Sequence, residues 1–213
     1  MYRVKMSQSE RRLLSETQLL SAACQVALKE GLQRLTCEEV GRLAGYSRAQ
    51  AYQRFGSREG LLVAAVRHLR LHRRNFWEAR TTDNPTGLDA LIEHVSVHLE
   101  GISLNLEMAA FFQVVLHHPQ DLQALRSEVA IARSELLDEL KALITSGLRD
   151  GSIDAQRNSE EDSVLLLGLM LGIATEFLVA RRDDELRCLR TRGEEMIRLS
   201  FSSADGHLPM IRH

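Results

Sequence analysis

The feature that most constrains this chain is a pair of very short helical patterns separated by one glycine turn. At Thr36-Cys37-Glu38-Glu39, and again at Ser47-Arg48-Ala49-Gln50, a hydroxyl residue stands three positions before Glu or Gln. In that arrangement each side chain can satisfy the other residue's free backbone N–H at a helix start. Gly45 and Gly56 follow after barely two turns, and glycine ends helices with least strain. Val40, Leu43 and Ala44 form the expected buried face of the first short helix, and Ala51 and Phe55 that of the second. Helices this short are unstable alone, so both must pack on longer neighbours.

The rest of the sequence supplies such neighbours. Only 3 Pro and 13 Gly occur in 213 residues, and Leu, Ala, Glu and Arg, all good helix formers, dominate. The fold class is all-α with about nine helices. Leu13, Leu20, Ala23 and Ala27 predict an amphipathic helix over about 10–29, closed by Gly31. Ser57 opens a fourth helix, whose Leu61, Leu62, Ala65, Val66 and Leu69 repeat at helical spacing and which continues through a basic stretch holding Trp77. Thr81 to Gly87 is a polar break, with Asn84 as N-cap and Pro85 as first helical residue. Five further helices are expected at about 86–101, 104–117, 121–149, 159–181 and 184–202. The expected organisation is an N-terminal three-helix unit, 1–56, and a larger helical unit, 57–213. The helix at about 57–80 links the two, and 204–213 forms a loose tail.

Charge divides along the same line. Residues 1–80 hold fifteen Lys and Arg against seven Asp and Glu, while the remainder is acidic and the whole chain carries −2. A basic end on an acidic body points to a polyanion meeting the N-terminal unit, a solvated basic face being the alternative. The start has no apolar signal core, and the longest apolar run, Val164 to Ala174, is about half a membrane span. Cys24, Cys37 and Cys188 show no ligand-like or disulfide spacing. No nucleophile elbow, phosphate loop or dinucleotide fingerprint appears, so no enzyme, cofactor or membrane role is expected and the chain reads as cytoplasmic.

Two helices joined by Gly45-Tyr46-Ser47 have the length of a helix-turn-helix, in which the second helix enters the DNA major groove. Arg48, Gln50, Gln53 and Arg54 project from that helix and suit base edges or phosphates. Tyr52 and Arg58 stand where phosphate contacts are expected, beside the helix start at Ser57. The stretch from Thr36 to Leu62 resembles the DNA-binding segment of the tetracycline-repressor (TetR) family, with its opening Thr36, the Ala44-Gly45 stop, Ser47, the Tyr52 and Phe55 pair, and Arg58 before Leu61-Leu62. Gly147 to Ile153, followed by an acidic helix start, resembles many members more loosely. Gly41, Tyr46, Ala49 and Ala51 depart from the commoner Ala, Val, Gly and Leu. The bulk of Tyr46 is expected to offset the volume missing at Ala51.

The resemblance implies a DNA-binding transcriptional regulator, most simply a repressor released from a palindromic operator by a small molecule. A helical small-molecule carrier or sensor without specific DNA binding is the competing reading. The family places Thr36 with Ser47 and the residues above at DNA, and builds a homodimer from the last two long helices. Leu165, Gly168, Leu169, Gly172, Glu176 and Leu189 are the candidates there, on a segment apolar nearly all round. The family also places a ligand pocket within helices 86–149, where His94, His98, Met108, Phe111, Phe112 and His117 are candidates. His94 and His98 lie one turn apart, but no cysteine or evident third ligand accompanies them in sequence, so no metal is assigned. The Phe pair fits a plain core better than a pocket.

Overall fold

Side chains that start helices do so here much as their spacing requires. In a computed structural model describing residues 7–80 and 86–203, Ser7 and Glu10 form a reciprocal capping box at the head of α1, Gln8–Glu30. A 3-10 turn, Leu32–Arg34, leads to α2, Cys37–Ala44, and after Gly45 to α3, Arg48–Phe55. Next come α4, Arg58–Glu78; α5, Gly87–Leu104; α6, Leu106–His117; α7, Gln123–Asp150; α8, Ser159–Ala180; and α9, Asp183–Phe201. The all-α expectation with nine helices therefore holds among the described residues. The expected cap at Asn84-Pro85 and the tail 204–213 lie outside them, and Thr86 caps α5 by accepting from the Asp89 N–H.

Two sequence expectations need correction. The Ser47–Gln50 box is reciprocal, but at α2 only half of the box forms. Thr36 Oγ1 accepts the Glu39 N–H at 3.2 Å, while the Glu39 carboxylate turns to Arg42. A charged partner within reach binds a carboxylate more strongly than a neutral N–H does. Leu13 and Leu43, expected on buried faces, are exposed. Around Leu13 the contacts of α1 with α3 are polar, made by Arg54 to Arg12 and Ser15, and apolar burial in α1 begins only at Leu19.

One apolar core runs from Leu19 through the body to Phe201. The helix α4 packs on α1 at one end and on α6 and α7 along its length, so it serves both expected units. Inside the body, α5 lies against α7 and α9, and α8 against α7. The α5–α7 crossing brings backbones together: a Cβ on Gly87 would sit 2.2 Å from the Gly147 nitrogen, so only glycine fits. Asp150 then accepts the Gly87 N–H at 2.7 Å, closing the same corner.

Along the α4–α7 seam runs a row of ion pairs. Arg67 Nε bonds Glu128 at 2.8 Å, Arg70 bonds Glu128 at 2.9 Å and Glu135 at 3.1 Å, Arg74 reaches Glu135 at 3.3 Å, and Arg73 grips Glu139. At the head of α7, where no side chain of its own caps the helix, Glu59 of α4 accepts the Ala124 N–H at 3.2 Å.

Candidate functional site

The turn between α2 and α3 is built by a left-handed glycine, a close backbone approach and a bond to α1. Gly45 adopts φ 77°, a left-handed conformation that suits glycine. A Cβ on Gly41 would lie 3.0 Å from the Tyr46 carbonyl oxygen, so the departure from alanine there matches a close backbone approach. The Tyr46 hydroxyl donates to Gln18 Oε1 at 2.5 Å while its ring packs half-buried against the core, and Ala51 below is fully buried. The turn is thereby fixed to α1.

This scaffold presents α3 with Ala51 inward and Arg48, Gln50, Tyr52 and Gln53 exposed. The Arg48 side chain is 74% exposed, with a loose 3.8 Å approach to Glu38. The Gln50 Oε1 is committed to the Ser47 N–H at 2.8 Å, which leaves its amide nitrogen as the group facing outward. Thr36 and Ser47 act locally as helix caps. Between α3 and the head of α1 lies a groove of about 770 Å³ lined by Gln8, Arg11, Arg12, Tyr46, Gln50 and Gln53 among others. Arg11 and Arg12 were missed in the sequence, although two adjacent arginines at the start of an amphipathic helix were the available signal.

Two of the sequence-assigned contacts are placed differently. Arg54 has a side chain only 16% exposed, donates to the Arg12 carbonyl at 3.3 Å and to Ser15 Oγ at 3.1 Å, and lies 3.5 Å from Glu16. It fastens α3 to α1. Its position three residues after Ala51, on the flank of the buried stripe, was the sign in the sequence. Arg58 donates to the Leu32 carbonyl at 2.9 Å and so holds the start of α4 to the loop before α2.

The interior candidates divide. Met108, Phe111 and Phe112 are fully buried, the two Phe rings edge to face at 5.6 Å, as a packed core requires. His117 is exposed and approaches its own helix at Gln113, so it lies apart from them. His94 and His98, by contrast, are fully buried with ring centres 4.3 Å apart and planes tilted by 38°, and Trp77 lies edge-on to His94 at 4.6 Å. Burial first, and the Arg73 charge second, push His98 down to about 3, and burial drives His94 well below its ordinary value, helped by His98 and Arg73. Both rings are neutral. Arg73, itself fully buried, bonds Glu139 through both terminal nitrogens at 2.6 and 2.7 Å and places Nη1 3.1 Å from His98 Nε2. Among the described residues both His94 ring nitrogens lack a hydrogen-bond partner, a condition that costs about 1–3 kcal/mol for a buried polar group. Burial likewise raises the Cys24 thiol to about 12, which leaves it inert.

On α8, the inner face carries Leu166, Leu167, Met170, Ile173 and Phe177. The outer face holds Leu165, 69% exposed, with Gly168, Gly172, Glu176 and Val179 also exposed and Leu169 half-buried. Built Cβ atoms on Gly168 and Gly172 would meet nothing within 4 Å. Leu189, Met196 and Leu199 are exposed on neighbouring α9. The helix α8 is long and apolar enough to cross a membrane by length and composition, yet its inner face belongs to the core of this fold.

Residues 19–65 match the family model described as bacterial regulatory proteins, tetR family. The HTH-type transcriptional regulator BetI of Rhizobium meliloti (strain 1021) is 28% identical over 188 residues, covering 83% of this chain and 90% of that protein. Among solved structures, a TetR transcriptional regulator from Chloroflexus aurantiacus J-10-FL superposes with a TM-score of 0.80 at 15% identity, over 91% of this chain and 99% of that one. A transcriptional regulator from Saccharomonospora viridis in complex with choline gives 0.79 at 16% identity, over 90% and 99%.

Proposed function

This chain belongs to the TetR family of bacterial DNA-binding transcriptional regulators, and we propose that it acts as a homodimeric repressor that grips a palindromic operator and releases it when a small molecule binds the helical body. The observation that carries the reading is α3, which presents Arg48, Gln50, Tyr52 and Gln53 on one exposed face. A single helix of this length reads few base pairs, so helix-turn-helix proteins pair their reading heads. The outer faces of α8 and α9 supply the means, because an exposed apolar face of this extent needs cover. Arg48, Gln50 and Gln53 read base edges, Tyr52, Arg11 and Arg12 meet phosphates, and Arg54 and Arg58 hold the head in place.

The inducer binds among α5, α6 and α7. A cytoplasmic location accords with a DNA-binding role.

Selection of DNA fragments from a random pool by the purified protein tests the reading. Recovery of one palindromic sequence, with affinity falling steeply as salt rises, is the expected result. A helical carrier would recover nothing above background, and that outcome overturns the proposal.

A further inference from the structure

His94 and His98 on α5 and Glu139 on α7 bring three donor atoms within 4.8 Å of one another. We propose that these three residues form a binding site for one divalent transition-metal ion of the zinc class, and that Arg73 holds the seat when the ion is absent. The class follows from the donors, two neutral imidazoles and a carboxylate, which suit zinc and its neighbours better than the oxygen-seeking magnesium or calcium.

The donors are already oriented. The Nδ1 of His98 lies 2.7 Å from the His94 carbonyl oxygen, which can only accept, so Nδ1 carries the proton and Nε2 presents its lone pair inward. A backbone carbonyl holding the far nitrogen is the usual support of a metal-binding histidine. The Nε2 of His94 stands 3.7 Å from Glu139 Oε2, close to the roughly 3.5 Å that tetrahedral bonds of about 2.0–2.2 Å require. His94 is fully buried, and neither of its ring nitrogens has a hydrogen-bond partner among the described residues. The other Glu139 oxygen, Oε1, is fixed by Arg73 Nη2 at 2.7 Å.

Between these donors lies a cation that belongs to the protein. Arg73 Nη1 is 2.6 Å from Glu139 Oε2 and 3.1 Å from His98 Nε2, so it bonds two of the three atoms that the ion would take. An entering ion therefore displaces Nη1, and the Arg73–Glu139 pairing shrinks to the Oε1 contact. Because Arg73 belongs to α4, metal binding also alters the tie between the reading head and the body. That consequence rests on the DNA-binding reading, whereas metal titration without DNA reports on the site alone.

The test is titration of chelator-stripped, full-length protein with Zn²⁺ against a chromophoric competitor, and with Co²⁺ by visible absorption. One ion per chain and a tetrahedral Co²⁺ spectrum are expected. His98→Gln and Glu139→Gln should each weaken binding by more than about tenfold. Arg73→Met should strengthen it, a gain that damage to the fold does not produce, and circular dichroism verifies folding of each variant. Other histidine pairs, His68/His72 and His117/His118, of which only His117 is exposed, offer adventitious sites. Binding that survives loss of His94 and His98 together overturns the proposal, as does absence of binding in both the native protein and Arg73→Met.

Discussion

The hydroxyl of Tyr46, in the turn of the DNA-reading unit, donates to Oε1 of Gln18 on α1 at 2.5 Å. The bond gives Tyr46 a second task beside filling space near Ala51. Tyr46→Phe should remove about 0.5–1 kcal/mol and lower the melting temperature by a few degrees. Tyr46→Val should lower it further, since it also deletes the half-buried ring. Thermal unfolding followed by circular dichroism separates the two effects, and equal melting points for all three proteins would show that neither contact matters.

Arg48 and Arg54 lie on one short helix yet face opposite fates. Arg48→Ala should leave the melting temperature unchanged and cost about 1–3 kcal/mol at one base position of the operator. Arg54→Ala should destabilise the head by about 1–2 kcal/mol, because it cuts the bonds to Arg12 and Ser15. Its effect on DNA should be nearly the same for every sequence. Binding to a set of single-base operator variants decides the matter.

The outer face of α8 makes a prediction about assembly. Leu165→Asp introduces a charge on a surface that is open within one chain, so a single subunit should fold normally. Analytical ultracentrifugation should show the native protein as a dimer and the variant shifted to monomer, with weaker operator binding. A variant that remains dimeric would place the interface elsewhere.

Acid should loosen the α4–α7 seam. Hydrogen bonds from Arg70, followed by its charge and that of Arg74, hold the Glu135 carboxyl below its ordinary value of 4.5 despite partial burial. A carboxylate lowered on folding adds stability that is complete above the unfolded value and is lost as pH falls through the folded one. Denaturant unfolding should therefore show stability declining below about pH 4.5, and the decline should be shallower in Glu135→Gln. Parallel acid limbs for the two proteins would remove Glu135 from the account.

The head was legible because its signals are local. Ser47, Gln50 and Gly45 act within five residues of one another, and hydrogen bonds at that range depend little on the rest of the chain. Arg54 was misassigned because helical phase alone puts it on the border of the buried stripe, and the groups that capture it come from α1. One-turn spacing placed His94 and His98 together, but no metal was assigned to them in sequence, because Glu139 arrives on another helix and Arg73 on a third. Leu43 follows the apolar period of α2 but falls where no neighbour covers it.

The row of arginine–carboxylate pairs between α4 and α7 makes a joint unlike the interlocked apolar contacts of the core. Long side chains can trade partners as one helix slides past the other, and Glu128 and Glu135 each already serve two arginines. Such a bearing has a stiffness set partly by the medium, because dissolved ions screen its partly exposed pairs. Ionic strength then acts at both ends of α4, on the proposed phosphate contacts of the head and on the rigidity of the stem that carries it.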